Sequence, residues 1–203
     1  MKKLILTLTA TAACLGAFAQ GKISFQTDSL HLAFFNPSTA NFGGQAVYAG
    51  NGPAGVNFMA DLYMGTTAGS LSLITSSAFG ATPGKWGTIS VLAPAPYNAG
   101  TSVFVEVQVR DGASAAPTTF TGTPFGTYYG ASQEFNFTMG SASSPVYPVM
   151  WGASGNWAAG SQALDAYGAG SKGAIMVTPV PEPATFALAG LGAAAMLIFR
   201  RRK

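Results

Sequence analysis

Alternation governs the middle of this chain. Val103, Val105, Val107 and Val109 alternate with Phe104, Glu106, Gln108 and Arg110, and Asp111-Gly112 follows as a turn pair. A period of two with β-branched residues on one side predicts a strand, its valines facing the core and its charged side facing water. Val56, Phe58, Ala60, Leu62 and Met64 alternate with Asn57, Met59, Asp61 and Tyr63 in a second strand. Phe135 and Phe137 alternate with Glu134, Asn136 and Thr138 in a third. Shorter candidates lie at 22–26, 30–35, 45–48, 71–75, 85–91, 147–151 and 174–178. Asn36-Pro37, Gly43-Gly44, Asn51-Gly52-Pro53, Thr82-Pro83-Gly84 and Pro94-Ala95-Pro96 punctuate them as turns. Helical periodicity of useful length appears only at the two ends. Many short strands between Gly and Pro turns predict a mainly β fold: an antiparallel β-sandwich of jelly-roll or Ig-like kind, with a barrel as the alternative.

The ends break the pattern. Residues 184–199 are an apolar run of 16 without a charge, followed by Arg200, Arg201, Arg202 and Lys203. As a helix the run spans about 24 Å. A bilayer core is nearer 30 Å (roughly), a mismatch that snorkelling arginines and local thinning absorb. Pro183 lacks an N–H that a helix start leaves unbonded anyway, and Glu182 faces the positive end of the helix dipole. Ala189 and Ala193, like Gly190 and Ala194, stand one helical turn apart, which lets another membrane helix approach closely. At the other end, Lys2 and Lys3 precede an apolar stretch over 4–18, and Ala17-Phe18-Ala19 fits the small-x-small rule for cleavage before Gln20. Thr11-Ala12-Ala13-Cys14 matches a lipoprotein signal only in part. Basic residues flank both apolar segments and stay inside, so the polypeptide between them lies outside the inner membrane.

Pro-Glu-Pro, a short Gly/Ala/Leu-rich helix and an arginine cluster, in that order, resemble the PEP-CTERM sorting signal of Gram-negative bacteria that make extracellular polysaccharide. The resemblance covers 180–203. It implies recognition by an exosortase, a multi-pass, transpeptidase-like membrane enzyme that removes the tail and passes the protein to the envelope or surface. Pro181, Glu182 and Pro183 map onto the signature, and Arg200, Arg201 and Arg202 onto its basic end, as substrate residues for that enzyme. The division expected is a signal peptide at 1–19, an exported β-sandwich domain at 20–178 and a sorting signal at 179–203 with its membrane helix at 184–199. A plain C-terminal anchor is the simpler alternative.

Charge changes meaning once the ends are set aside. The chain carries a formal net charge of +3, yet between Gln20 and Val180 the cations are Lys22, Lys85, Arg110 and Lys172 against Asp28, Asp61, Glu106, Asp111, Glu134 and Asp165, a net −2. That removes the case for nucleic acid as a partner. The one cysteine, Cys14, leaves with the signal peptide, so the exported part forms neither disulfide nor thiolate metal site. Low charge also permits self-association.

Candidate chemistry is sparse. His31 is the one imidazole, with Asp28 three residues upstream, but a Ser/His/Asp set has nothing further behind it, and a hydrogen-bonded strand histidine is the plainer reading. Carboxylates scatter one per segment, and Glu106 lies about 13 Å from Arg110 along its strand. Neither the paired acids of glycoside chemistry nor a calcium cluster is apparent, and surface roles are expected. No catalytic residue, metal site or cofactor is therefore expected, and the protein reads as a non-enzyme. Trp151 and Trp157, in a glycine-rich stretch, and Tyr128 and Tyr129 are candidates for stacking on sugar rings, weighed against closing the ends of the sandwich. The expectation is an exported surface or matrix protein, structural or adhesive and associated with exopolysaccharide or biofilm. Exosortase and the membrane are its expected partners, with extracellular polysaccharide a third. A carbohydrate-binding module and, behind it, a secreted hydrolase are the alternatives.

Overall fold

The valine alternation forms a strand, and the rest of the fold is organised around it. A computed structural model describes residues 20–49, 52, 56–121, 126–141, 144–151, 154–157, 175–180, 191 and 196. Its strands are β1 (Gln20–Phe25), β2 (Ala33–Phe35), β3 (Phe58–Thr67), β4 (Ser70–Ala78), β5 (Ile89–Asn98), β6 (Ser102–Asp111), β7 (Tyr128–Ala131), β8 (Phe135–Thr138), β9 (Gly140–Ser141) and β10 (Ile175–Pro179). The described part is mainly β. One sheet runs β5-β1-β9; the larger runs β2-β10-β7-β6-β3-β4, with β8 also paired to β6.

The valines lie in one hydrophobic core with Ala60, Leu62 and Met64 of β3, Phe135 and Phe137 of β8, Ile23 and Phe25 of β1 and Ala93 of β5. Both sheets therefore close on the same interior, each large apolar side chain contributing roughly 1.5–3 kcal/mol through burial. β7 and β8 follow one edge of β6 in succession, and a one-residue bulge separates them: Gln108 pairs with Ala131, but Val105 pairs with Phe135. The Ser132 hydroxyl fills the gap by accepting the Val107 N–H at 3.0 Å. β7 passes so close to β10 that a Cβ on Gly130 would sit 2.5 Å from the Met176 carbonyl oxygen.

Three expectations change. Pairing is not antiparallel throughout, because β10 lies parallel to β2 on one side and antiparallel to β7 on the other. Pro94-Ala95-Pro96 does not turn the chain; it lies inside β5, an edge strand whose ladder to β1 skips from Ala93 to Asn98. An edge leaves backbone N–H groups unpaired, so proline is tolerated there. Most importantly, the second face of β6 does not meet water: Glu106, Gln108 and Arg110 are buried. Residues 112–121 cross that face as a strap. The Tyr63 hydroxyl donates to the Pro117 carbonyl at 2.8 Å, and the Phe120 ring meets Tyr63 edge-on at 5.7 Å. The Phe120 N–H donates to the Leu71 carbonyl, and the Leu73 N–H to the Thr118 carbonyl, so the strap also covers the outer edge of β4.

The charges of the domain are thereby turned inward. Among the described residues, Lys22, Asp61, Glu106, Arg110 and Asp111 are buried and Asp28, Lys85 and Glu134 half-buried, and no charged side chain is fully exposed. Lys22 donates to the Ser144 carbonyl beneath the Tyr147 ring. The expected terminal helices lie outside the described residues, apart from Leu191 and Met196, which are helical and exposed. Among the described residues no helix is long and apolar enough to cross a membrane.

Candidate functional site

The strap-covered face of the large sheet holds the densest chemistry. Asp61 stands opposite Gln108, and Tyr63 opposite Glu106. Asp61, fully buried, receives the Arg110 guanidinium twice, from Nε at 2.6 Å and from Nη2 at 3.2 Å. The remaining Arg110 nitrogen, Nη1, donates to the carbonyls of Asp111 and Ser114, so the cation also ties down the start of the strap. Glu134 stands just before β8, next to the Val105–Phe135 pair, and its carboxylate lies near that of Glu106. Neighbouring carboxylates repel. Burial, and then the Glu134 charge, push the Glu106 carboxyl up to about 8, so it carries a proton at neutral pH. Glu134 accepts the Gly69 N–H at 2.7 Å. Tyr129 is pushed up to about 12 by burial and by Glu106. Sequence spacing missed this pairing because it depends on a bulge between two strands that sequence alone does not align. No group of three or more His, Asp or Glu side chains that could hold a metal gathers among the described residues.

A second cluster surrounds His31. The histidine sits in a bend rather than on a strand, with Nδ1 2.7 Å from Asp28 Oδ1 and Nε2 3.1 Å from the Trp157 carbonyl oxygen. Both ring nitrogens are therefore engaged by oxygens of the fold. Trp151 stacks on the imidazole at 5.1 Å, and Trp157 packs against it at 4.7 Å. Trp157 is only 3% exposed and stacks flat on Phe135 at 5.3 Å. Tyr129 is also buried, and Tyr128 packs edge-on against Phe35 and Phe58. Burial thus takes Trp157 and Tyr129 out of any sugar-stacking surface, leaving Trp151 and Tyr128 half-exposed. The physical reason is the hydrophobic effect: in a charge-poor chain, the large rings fill the ends of the core.

The third cluster is the C-terminal exit of the sheet. Ile175, Met176 and Val177 of β10 are paired to β2. The last β2-side bond runs from the Asn36 N–H to the Val177 carbonyl. Beyond it only β7 remains: Thr178 pairs with Tyr129 and Pro179 with Tyr128, and the Val180 N–H donates to the Thr127 carbonyl at 2.8 Å. One-sided pairing is what admits Pro179 at this position. Thr127 is itself anchored, its N–H donating to Asp111 Oδ2 at 2.5 Å. The Ser114 N–H and hydroxyl donate to the same carboxylate. Burial opposes the Asp111 charge, but these donors outweigh it and hold the carboxyl below the usual range.

From this exit onward the chain can be matched. Residues 179–203 are a PEP-CTERM protein-sorting motif. No curated protein and no solved structure matches the chain.

The PEP-CTERM motif supports an exported, membrane-anchored precursor that an exosortase then processes. Pro181, Glu182, Pro183, Arg200, Arg201 and Arg202 lie outside the described residues, as do Ala17 and Ala19 of the expected signal-peptidase site. Gln20, the residue after that site, is the first of β1 and pairs with Asn98. The PEP-CTERM match begins on Pro179, the last residue of β10. Thr178 and Pro179 therefore belong to the sheet, and Val180 is bonded to it.

Proposed function

We propose that the mature domain is a non-catalytic structural or adhesive component of the cell surface or extracellular matrix, lodged among neutral exopolysaccharide or biofilm polymer. The observation that carries this reading is the inward placement of charge: the described exterior holds no fully exposed charged side chain, while a sorting motif directs the chain outward. A neutral, hydroxyl-rich surface meets a polymer through hydrogen bonds and apolar contact, with little ionic attraction or repulsion. Two measurements test it. Mass spectrometry of the mature C-terminus, in cells with and without their exosortase, reads sorting. Retention of the purified domain on the native polymer then reads adhesion, and it should change little between low salt and about 1 M salt, where the Debye length is about 3 Å. Retention that vanishes at high salt overturns the neutral-contact reading.

A secreted hydrolase has one observation in its favour. A Glu106 held protonated at neutral pH, with a second carboxyl, Glu134, near it, is the kind of pair from which glycosidases draw their acid. Against it, Glu106 is only 7% exposed, beneath a strap tied down at both ends. Polymer cleavage by the purified domain, lost in Glu106→Gln, would move the assignment to that reading.

A further inference from the structure

We propose that exosortase processing requires the end of β10 to peel from the sheet, and that Thr127, held by Asp111, is the latch on that step. The inference rests on the reading of 179–203 as a sorting signal and concerns how this domain presents it.

Only Pro181, Glu182 and Pro183 separate Val180, still bonded to Thr127, from the apolar run at 184–199. That is about 10 Å of extended chain. Enzymes that read an extended peptide pair with its main chain over several residues. The N–H of Val180 is already taken by the domain, and Pro181 and Pro183 have none to give. An enzyme working at the membrane thus meets a folded β-domain where its substrate strand should continue.

The pairing pattern sets how far the strand can yield. Residues 175–177 are paired to β2, whereas 178–180 have left β2 and are held only by β7 and Thr127. Peeling therefore stops at Val177, whose carbonyl still accepts the Asn36 N–H. It frees Thr178, Pro179 and Val180, doubling the accessible segment to about 20 Å. The core loses nothing, because Ile175 and Val177 stay in place. Local openings of this kind set rates when the open form is rare.

Pulse-chase labelling of the full chain in cells that carry the exosortase, counting only molecules whose signal peptide is gone, provides the test. Inserting about six Gly/Ser residues between Val180 and Pro181 adds about 20 Å without touching the fold or the Pro-Glu-Pro signature, and should raise the processing rate about threefold or more. Asp111→Asn, which weakens the hold on Thr127, should raise it in the same direction. Val180→Cys with Thr127→Cys joins residues that face each other one step beyond the Pro179–Tyr128 pair, about 4.5–5.5 Å apart at Cα and within disulfide reach. No other cysteine remains after signal removal to compete with this pair. The oxidised chain should be processed about tenfold more slowly, and reductant should restore the rate. Equal rates for the parent, spacer and cross-linked chains overturn the latch, provided that Pro181→Ala/Glu182→Ala/Pro183→Ala blocks processing. If that triple variant is processed like the parent, the sorting reading itself fails.

Discussion

The two faces of β6 are built on opposite principles. One presents Val103, Val105, Val107 and Val109 to a core of aliphatic and aromatic side chains. The other presents Glu106, Gln108 and Arg110 to a strap, and these three are buried as well. The valine face is held by contact area, which many side chains supply in parallel and no single group decides. Its neighbour is held, at Asp61 and Arg110, by matched partners, so removing one strands the other. The same strand is thus tolerant on one side and brittle on the other.

The sharpest break comes at Asp61→Ala. Arg110 would keep its carbonyl partners on the strap but lose its only described anion, in a site closed to water. Stranding a buried charge costs about 3–5 kcal/mol. Urea unfolding of the mature domain measures this. Replacing the pair with Asp61→Leu and Arg110→Met should recover most of the loss, because well-packed apolar groups often substitute for buried ion pairs. Val107→Ala, on the other face of the same strand, should cost about 2 kcal/mol at any pH.

Glu106 offers a subtler contrast. Its folded carboxyl titrates near 8 against an ordinary value of 4.5. The native state therefore keeps a proton that the unfolded chain releases, and stability is fully present below pH 4.5 and falls as pH rises toward 8. Glu106→Gln stays neutral throughout and should flatten that slope, leaving the variant more stable than the parent at pH 8 by about 3–5 kcal/mol. Thermal midpoints at several pH values check this, and a parallel decline in the variant would place the slope elsewhere.

How much of this was legible follows from the same contrast. Alternation located β3, β6 and β8 and put the valines of β6 on the core side, because a period of two is intrinsic to the strand. What covers the other side is decided by a segment far away in function if not in sequence: 112–121 reads as a Gly/Ser/Pro/Thr loop, and only Phe120 hints at packing. The Asp61–Arg110 pair joins residues on separate strands, and no local spacing announces it. One signal was available in hindsight: polar residues on β3 and β6 come in complementary sets, Asp61 and Tyr63 facing Gln108 and Glu106. The sorting end was readable because its order of proline, apolar run and arginine cluster is a linear feature. Its abrupt junction with β10 was not, since the β2 partner lies at the other end of the domain.

The corner around His31 sharpens the comparison from the acid side. Burial opposes the Asp28 charge, but the hydrogen bond to His31 and the Leu30 N–H outweigh it and lower the carboxyl from 3.8. A lowered carboxyl stabilises the fold above its unfolded value, and that contribution fades as pH falls below 3.8 toward the folded value. Asp28→Asn should therefore cost less than about 1 kcal/mol at pH 6, since the group is half open to solvent, and nothing further at low pH. Because Trp151 and Trp157 both pack on His31, tryptophan fluorescence should report loosening of this corner in acid before the sheet unfolds. The slope is opposite in sign to that of Glu106, so acid loosens the tryptophan end while alkali loosens the strap. A single pH series on the parent, followed at both ends, separates them; one common transition in acid and in alkali would mean that the two regions open only with the whole domain.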